Sequence, residues 1–341
     1  MALGIVVALG WPAVSTPNEV CVINDPRARE LSGLLAVSSG YIAVTDSQAD
    51  PANVRIVYLD AKCRVTRTSG FPTPPRDPED LAVAPDGAVW VGDIGDNATA
   101  PTRRPTIALW RVPSRGAPVI HRLAYPDGPH DAEALLFGAD GLPVVVTKEI
   151  DGRARLYRPA ATPRPGTADG VPMALVGQFR PQATGENNFL GSLGELLITG
   201  AAVSPDRHKV ILRTYTAAYE WDAPDGDVVK AITTGKPRVT VLADEPQGEA
   251  IAYTSDGTAF LTVSDQPGAT TMRRHDPSTV PMATPRPSTA PVVVNPVQPK
   301  PSGIPLWLSV GLGLAGLGIA AAGYLGLRQS RARRTPSAGS P

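Results

Sequence analysis

Several features that define common protein classes are scarce in this chain of 341 residues. Lys and Arg together number 32, as do Asp and Glu, so the basic excess that bulk nucleic-acid binding requires is missing. Aromatic residues make up only 5% and charged residues 19%, whereas Gly (33) and Pro (37) are abundant. This composition excludes long helical bundles and coiled coils, which need many Ala, Glu, Lys and Leu residues.

Sequence signatures of several enzyme classes are absent as well. The chain has no G-x-S-x-G elbow, no H-E-x-x-H motif, no C-x-x-C pair, and neither a P-loop nor a Rossmann fingerprint. Three of its four histidines are expected at the surface, on outer strands or turns: His121, His208 and His275. His130, in the run PHDAEA, directly precedes acidic residues and is either a turn residue or a general base in catalysis.

Only two cysteines are present, Cys21 and Cys63. If the chain is exported, as its two ends indicate, both cysteines lie in an oxidising compartment, where such a pair usually closes a disulfide. We therefore expect a Cys21–Cys63 disulfide, and the alternative is two buried free thiols.

One long run without charge occupies residues 304–327. As a helix it measures about 36 Å, enough to cross a bilayer core of about 30 Å. Four arginines and no acidic residue follow in residues 328–341. The positive-inside rule then predicts a single-pass plasma-membrane helix, with the tail in the cytoplasm and the preceding domain outside. A buried core helix is the alternative, and the small residues of this run could pair two such helices in a homodimer.

The segments that flank the central domain have distinct compositions. Residues 1–18 contain an apolar run and the small-x-small pattern Ala13-Val14-Ser15, as in a signal peptide, although the basic start of such a peptide is missing. An uncleaved anchor is the alternative for this segment. Residues 276–303 contain eight prolines, which predicts an extended linker or stalk between the domain and the membrane.

An internal repeat organises residues 19–275. Each copy has two apolar runs joined by a turn and then a third apolar run, and four of the five copies carry an Asp at the turn. Three of these turns are Asp-Gly, a strong hairpin signal because Gly accommodates the positive φ that such turns require. The copies begin at Glu30, Pro78, Asp131, Ile198 and Gly248.

Repeated four-stranded units of this length are typical of a β-propeller. The last copy lacks a fourth strand, while the run EVCVI at residues 19–23 stands alone before the first copy. Pairing these two would close the ring and leave no exposed edge. We therefore expect an all-β fold, a β-propeller of five blades. Six blades are the alternative, because the segment between Tyr157 and Ile198 could contain an irregular blade, and a two-domain β-sandwich is a further one.

Three copies carry a glutamate seven residues before the turn Asp, namely Glu79, Glu133 and Glu249, and the other two have Ser32 and Thr199 there. The first strand of each propeller blade lines the central channel, so these side chains should converge. Carboxylates at such short distances raise one another's pKa unless a cation neutralises them. Ca²⁺, which accepts six to eight oxygen ligands, is the cofactor that such a set of residues would suit.

Further polar residues are expected beside these glutamates. In the segment GDIGDN, Asp93 and Asp96 surround a glycine turn and are additional candidate Ca²⁺ ligands, although the spacing is not that of an EF-hand. In the alternative interpretation each acid accepts hydrogen bonds at its own turn, and Lys148 and Arg213 balance the charge without metal. The residues expected to line the channel are Asp46, Asp80, Asp131, Lys148, Arg213 and Asp265.

The motifs PEDLAV, GDIGDN, DAEALL, VVTKE and QGEAIA together resemble those of exported bacterial β-propeller proteins of unassigned function. They extend over most of residues 30–265, and the resemblance implies a propeller fold and an extracytoplasmic location, but no reaction. The acidic channel is more distantly similar to that of the phytase-like and gluconolactonase-like calcium propellers. No catalytic residue of those enzymes can be matched here by motif.

Three functions follow as hypotheses from these patterns. The first is a membrane-anchored extracytoplasmic propeller that binds a small-molecule or protein ligand at an acidic, Ca²⁺-occupied channel face. The second is a metal-dependent hydrolase of phosphate esters or lactones, with the three glutamates as metal ligands and His130 as base. The third is a structural component of the cell envelope.

Overall fold

A computed structural model describes residues 13–14, 17–48, 50–186 and 188–279 of the chain. The predicted membrane helix and cytoplasmic tail lie outside these residues, as does nearly all of the predicted signal-like segment and stalk. None of the helices in the described ranges has both the length and the apolar character needed to cross a membrane. The fold is all-β, with one short α-helix.

Two strands, β1 (Ala13–Val14) and β2 (Asn18–Ile23), precede the repeats. The remaining strands follow in groups. They are β3 (Leu31–Val37), β4 (Gly40–Thr45), β5 (Ile56–Asp60), β6 (Val65–Ser69), β7 (Pro78–Val83), β8 (Val89–Asp93), β9 (Ile107–Val112), β10 (Val119–Ala124), β11 (Ala132–Phe137), β12 (Pro143–Thr147), β13 (Ala154–Pro159), β14 (Val171–Phe179), β15 (Ile198–Val203), β16 (Lys209–Thr214), β17 (Ala217–Asp222), β18 (Arg238–Val241), β19 (Gly248–Tyr253), β20 (Phe260–Ser264) and β21 (Thr270–His275).

These strands form antiparallel four-stranded units that follow the sequence repeat. The order is β3-β4-β5-β6 in one sheet, while β7 to β10 and β11 to β14 join through a parallel contact of β10 with β14 into one eight-stranded sheet. A further unit contains β15 to β18, with β1 added in parallel at its edge. The first strands of the units, which we call the inner strands, contact one another in the cyclic order β3, β7, β11, β15, β19 and back to β3. This arrangement is propeller-like.

The two ends of the repeat region pair with each other, as the sequence predicts. Strands β19, β20 and β21 are completed by β2, which lies antiparallel to β21. The last unit therefore takes its fourth strand from the start of the domain. Between Phe179 and Ile198 the described residues contain a 3₁₀ turn at Gly191–Leu193 and no strand.

The hairpins between the first and second strands have the backbone that the Asp-Gly signal requires. Gly87, Gly141 and Gly257 have positive φ of +80°, +77° and +68°. The fourth Asp-containing turn has Arg207 at this position, with φ of 63°, a conformation that a residue with a Cβ rarely adopts.

Apolar side chains fill the space between neighbouring units. One cluster joins Leu136 and Val146 of the third unit to Tyr219 and Trp221 of the fourth. The α-helix α1 (Val228–Thr234), a second 3₁₀ turn (Pro51–Asn53) and the loops cover the outer parts, and α1 buries Val228, Ala231 and Ile232. Because inner and second strands are covered on both faces, some of them, such as β12, are buried along their whole length and lack the alternation of a half-exposed strand.

The predicted disulfide is confirmed, since Cys21 and Cys63 are bonded across a sequence separation of 42 residues. Cys21 lies on β2, and Cys63 lies in the turn between β5 and β6 of the first unit. The bond therefore ties the strand that completes the last unit to the unit next to it.

Replacement of Cys63 by serine should lower the free energy of unfolding by roughly 2–4 kcal/mol, because the unfolded chain is then no longer constrained by a loop of this length. Urea denaturation of the oxidised protein measures the change. The double variant Cys21→Ser/Cys63→Ser should match the single one, which separates the loss of the bond from effects of a free thiol. Equal stability of Cys63→Ser and the wild type would contradict a stabilising bond.

Candidate metal centre

Each inner strand contains a β-bulge at the same place in the repeat. The pairing register shifts across one residue in β3, β7, β11, β15 and β19 alike. A bulge leaves one residue unpaired and redirects its side chain. The five bypassed residues are Ser32, Glu79, Glu133, Thr199 and Glu249, the position that aligns the repeats in the sequence.

Three carboxylates meet near these bulges: Asp46, Glu79 and Glu249. Each offers one oxygen, and these oxygens all lie within 4.8 Å of one another. Glu79 and Glu249 are 4% exposed, and Asp46, at the end of β4, is partly exposed. The Ser32 hydroxyl donates a hydrogen bond to Glu249 Oε2 at 3.1 Å. We call Asp46, Glu79 and Glu249 the carboxylate trio.

Glu133 has its own cation. Lys148 Nζ donates to Glu133 Oε1 at 2.7 Å, and Lys148 also lies 5.3 Å from the centroid of the Tyr215 ring. Glu133, the third of the predicted glutamates, is thus paired with Lys148, which was predicted to line the channel. Asp46, and not Glu133, lies beside Glu79 and Glu249. Thr199 Oγ1 donates to the Gly248 carbonyl at 2.9 Å and fixes the start of the neighbouring inner strand.

Burial and mutual repulsion raise the pKa values of this whole group. Burial is the larger cause for Asp46, with a pKa of about 8, and repulsion by Asp77 adds to it. The pKa of Glu133 rises to about 7 because burial outweighs the attraction of Lys148. Burial also raises the pKa values of Glu79 and Glu249 well above the usual value, and the Glu133 charge raises both further. Without a cation, several of these groups hold protons near neutral pH.

Asp265 and Asp77 extend the acidic region. Burial raises the pKa of Asp265 to about 6, with repulsion by Glu30 in addition. Gln247 Nε2 donates to its Oδ2, while its buried Oδ1 has no hydrogen-bond partner among the described residues. Asp77 was not predicted as part of this region; it directly precedes β7, and its charge raises the pKa values of Asp46 and Glu79. The signal in the sequence that could have identified it is its position two residues before Glu79.

Asp80 has a structural role on the inner strands. Its carboxylate is fully buried and accepts hydrogen bonds from the Leu81 and Leu135 amides, both at 2.8 Å. Burial raises its pKa, and the backbone donors, which include Ala201, oppose that rise. The equivalent positions of the other inner strands are small, which leaves room for the aspartate; they are Gly33, Ala134, Gly200 and Ala250.

The predicted Ca²⁺ ligands Asp93 and Asp96 are engaged by arginines instead. Asp93 accepts a hydrogen bond from Arg104 Nη1 at 2.8 Å. Asp96 accepts from Arg103 Nε at 2.7 Å and from Arg76 Nη2 at 3.0 Å. Positive charge already neutralises both carboxylates, so they are unsuited to binding a cation. Asp131 joins this loop to the third unit by accepting the Asp96 amide at 2.8 Å.

Arg213 does not line the channel as predicted, because its side chain is completely buried. It donates to Glu245 Oε2 at 3.0 Å and to the Ala250 carbonyl at 3.0 Å. Glu245 Oε1 also accepts from Thr262 at 2.6 Å and lies 3.0 Å from His275 Nε2. Burial alone would raise the pKa of Glu245, but the Arg213 charge and these hydrogen bonds outweigh it and lower the pKa to about 2.

His130 lies in a separate group and makes no hydrogen bond to the carboxylate trio in the described part of the chain. Its Nδ1 is 2.7 Å from Glu149 Oε1, and its Nε2 is 3.2 Å from Asp127 Oδ1 and 3.0 Å from the Tyr157 hydroxyl. The hydrogen bond with Glu149 is the main cause of its raised pKa. Both ring nitrogens are occupied, so this histidine is poorly placed to accept a proton from a substrate at the trio.

Two histidines expected at the surface are in fact buried. His121 is 6% exposed and packs edge-on against Trp90, and His275 is 1% exposed within the Glu245 network. Aromatic side chains of the same unit pack against both, Trp90 of β8 against His121 and Phe260 of β20 against His275. His208 is exposed, as expected.

Comparisons with known proteins yield similarity in structure alone. No protein-family model matches the chain, and no curated protein matches it. A glutaminyl cyclase from Myxococcus xanthus is 13% identical over 78% of this chain and 99% of its own, with a TM-score of 0.44. An aldose sugar dehydrogenase from Streptomyces coelicolor is 13% identical, covering 79% and 100%, with a TM-score of 0.43. A gluconolactonase from Xanthomonas campestris is 13% identical, covering 70% and 68%, with a TM-score of 0.40.

Glu245→Gln should destabilise the fold by about 3–5 kcal/mol near pH 7, because the Arg213 charge is then left buried without a partner. Urea denaturation measures this loss. The matched control is Asp225→Asn, which breaks a solvent-exposed pair with Lys230 and should leave the free energy of unfolding nearly unchanged. Similar losses of unfolding free energy in both variants would contradict the role of Glu245 as the partner of the buried Arg213 charge.

The stabilisation that Glu245 contributes depends on pH. The pKa of Glu245 is lowered in the folded protein, so its stabilisation is present above the unfolded value of about 4.5 and is lost as the pH falls towards 2. The stability difference between the wild type and Glu245→Gln should therefore shrink as the pH is lowered from about 6 to 3. A difference that stays constant over this range would contradict the lowered pKa.

Proposed function

We propose that the chain is a membrane-anchored, extracytoplasmic, five-bladed β-propeller that binds Ca²⁺ at the mouth of its channel and, through this site, a ligand. The blade number is supported by the four-stranded units and the cyclic contacts of their inner strands. The convergence of Asp46, Glu79 and Glu249 within 4.8 Å is the observation that carries the binding function.

The residues of the trio suit a hard divalent cation. Their ligand atoms are all carboxylate oxygens, and neither histidine nor cysteine belongs to the group, so zinc and softer metals are disfavoured. Ca²⁺ tolerates irregular geometry and leaves room for ligand oxygens in its coordination shell. A bound cation would neutralise the trio and would attract an anionic or oxygen-rich group of a ligand.

The surroundings of the trio favour a ligand that also has an apolar part. Tyr215, which lies over Lys148, packs edge-on against Phe189 at 5.0 Å between ring centroids. Phe189 is 62% exposed, and Ile150, two residues after Lys148, is 78% exposed. Exposed apolar groups of this size near a polar site are typical of ligand- or partner-binding surfaces. The ligand would therefore be held by its oxygens at the cation and by apolar contacts at the rim.

The proposed location rests on the sequence. The uncharged run at residues 304–327 and the arginine-rich tail that follows it support a membrane anchor with the propeller outside. The Cys21–Cys63 bond agrees with an oxidising compartment. The proline-rich residues 276–303 would hold the propeller away from the membrane surface.

A metal-dependent hydrolase is the second candidate, and the Lys148–Glu133 pair favours it. Lys148 Nζ, 2.7 Å from Glu133, adds a positive group whose attraction also reaches Glu249. Beside a cation, Lys148 could stabilise negative charge that develops on a phosphate ester or lactone. His130 is not needed for this role. If neither a cation nor a substrate binds, a purely structural role in the cell envelope is the function that remains.

Calcium titration of the full-length chain by calorimetry tests the site. Glu79→Gln and Glu249→Gln should each weaken Ca²⁺ binding by roughly 10- to 100-fold, because each removes a full charge at contact distance from the cation. The matched control Asp140→Asn makes the same charge change at a hairpin turn outside the trio and should leave the affinity unchanged. A flat titration of the wild type would refute the metal site.

The fall in stability with rising pH should disappear when Ca²⁺ is supplied. The trio's pKa values are raised in the folded, metal-free protein, so ionising these groups opposes folding. In EDTA the melting temperature should therefore fall as the pH rises from about 6 to 9, and saturating Ca²⁺ should abolish this fall because the ion pairs with the ionised form. The same fall with and without Ca²⁺ would show that the cation binds elsewhere or not at all.

Esterase, lactonase and phosphatase panels with and without EDTA separate the two candidate functions. A hydrolase should show activity that EDTA abolishes and that Glu133→Gln reduces by roughly 100-fold, because loss of this carboxylate changes both the charge and the position of Lys148. His130→Gln should retain activity. Calcium binding without turnover on any panel would support the binding protein.

A further inference from the structure

A second cavity lies on the inner strands, away from the carboxylate trio. Its volume is about 390 Å³, and apolar side chains form most of its wall. Leu35, Leu81, Phe137 and Tyr253 line it and come from the later parts of four inner strands, whereas the bulges lie at the starts of these strands. These four residues lie two to four positions after the bulge residue of their strand, so neighbouring units together form the cavity wall. The inner strands carry the acidic site at one end and the apolar cavity at the other.

The buried Asp80 separates the two sites. It follows the bulge residue Glu79 and precedes Leu81, which lines the cavity, and its carboxylate is fixed to the Leu81 and Leu135 amides. A ligand in the apolar cavity would therefore not reach the trio. The cavity requires a function of its own.

Arg207 is the charged residue among those that line this cavity. It occupies the turn position where Gly87, Gly141 and Gly257 stand in other units, and it has the same left-handed backbone, with φ of 63°. Such a conformation is strained for a residue with a Cβ and is relaxed for glycine. The chain therefore carries a large cationic side chain at a place where glycine would relieve strain.

The guanidinium of Arg207 has neutral acceptors. Nη2 donates to the Val83 carbonyl at 2.9 Å, and Nη1 lies 3.4 Å from the Phe137 carbonyl. Asp86, the carboxylate whose charge reaches it, is itself paired with Arg111 at 3.2 Å. Guanidinium has five N–H donors, so further donors are available beside the cavity. A partly buried cation with neutral partners is where an anion gains most from a charge-assisted hydrogen bond.

We propose that this cavity binds an apolar small molecule that carries one carboxylate, with the carboxylate on Arg207 and the hydrocarbon part against Leu81, Leu135 and Phe137. The cavity volume falls within the usual range for small-molecule sites, and one charged group in an apolar wall is the usual arrangement for fixing a ligand's orientation. The single cation matches a monocarboxylate better than a polyanion.

A pair of fluorinated probes tests this site on the full-length chain. 4-(Trifluoromethyl)benzoate and the neutral 4-(trifluoromethyl)benzamide have similar shapes and differ in charge, and ¹⁹F NMR follows the binding of both. The wild type should bind the carboxylate at least about tenfold more tightly than the amide, and Arg207→Gly should reduce that ratio to about one. Arg207→Lys, which keeps the charge, should retain a preference for the carboxylate. Equal binding of both probes to the wild type, or binding of neither, would overturn the proposal.

Two further measurements separate binding from a purely structural role. Arg207→Gly relieves the strained turn, so its melting temperature should be equal to or above that of the wild type. If Arg207 only ties the units together, this variant should melt lower and the carboxylate preference should be absent from the wild type. Photolabelling with a diazirine-bearing benzoate should place adducts in the segments around Leu81 and Phe137, and adducts confined to other segments would refute the location.

Discussion

The cyclic packing of the inner strands against one another is the constraint on which the rest of the structure depends. Any side chain at a given repeat position is brought close to its equivalents, whatever its charge. At the bulge position this brings Glu79 and Glu249 together with Asp46, and burial then raises their pKa values. The third glutamate at this position, Glu133, is paired with Lys148. The other two units carry Ser32 and Thr199 there, short side chains that donate hydrogen bonds and add no charge.

Closure of the ring makes this convergence stable. Ionisation of these buried acids would push the inner strands apart, and an open ring could relieve that repulsion by separating its first and last units. Strand β2 prevents this because it completes the last unit, and the Cys21–Cys63 bond ties β2 to the first. Two buried ion pairs, Arg213 with Glu245 and Arg104 with Asp93, lie beside the inner strands. Arg213 also donates to the Ala250 carbonyl of β19, and Asp93 accepts the Asp77 amide next to β7. The acidic site is thus held by interactions that do not involve its own carboxylates.

The sequence predicted the features that depend on local pattern. Asp-Gly turns identified the hairpins, and the register of Glu79, Glu133 and Glu249 identified the position at which every inner strand bulges. It could not predict pairing between distant residues. Asp93 resembled a metal ligand because its partner Arg104 lies in a loop without a pattern, and Arg213 resembled a channel residue because the burial of Glu245 is not encoded in any spacing. Which of several equivalent acids pairs with a given cation depends on contacts between residues that are distant in the sequence. For this reason the pairing of Lys148 with Glu133, and not with Glu249, could not be predicted.

The contrast between the two ends of the inner strands follows from their side chains. At the bulge end, the residues offer carboxylates and hydroxyls, and the excess charge is negative. Towards the other end, apolar residues surround the guanidinium of Arg207, and the charge is positive. Asp80 can be buried between these regions because small residues at its equivalent positions leave it space and backbone amides satisfy it. One repeated strand thus contributes carboxylates at its bulge end and an apolar wall towards its other end, and the fully buried Asp80 carboxylate lies between the two regions.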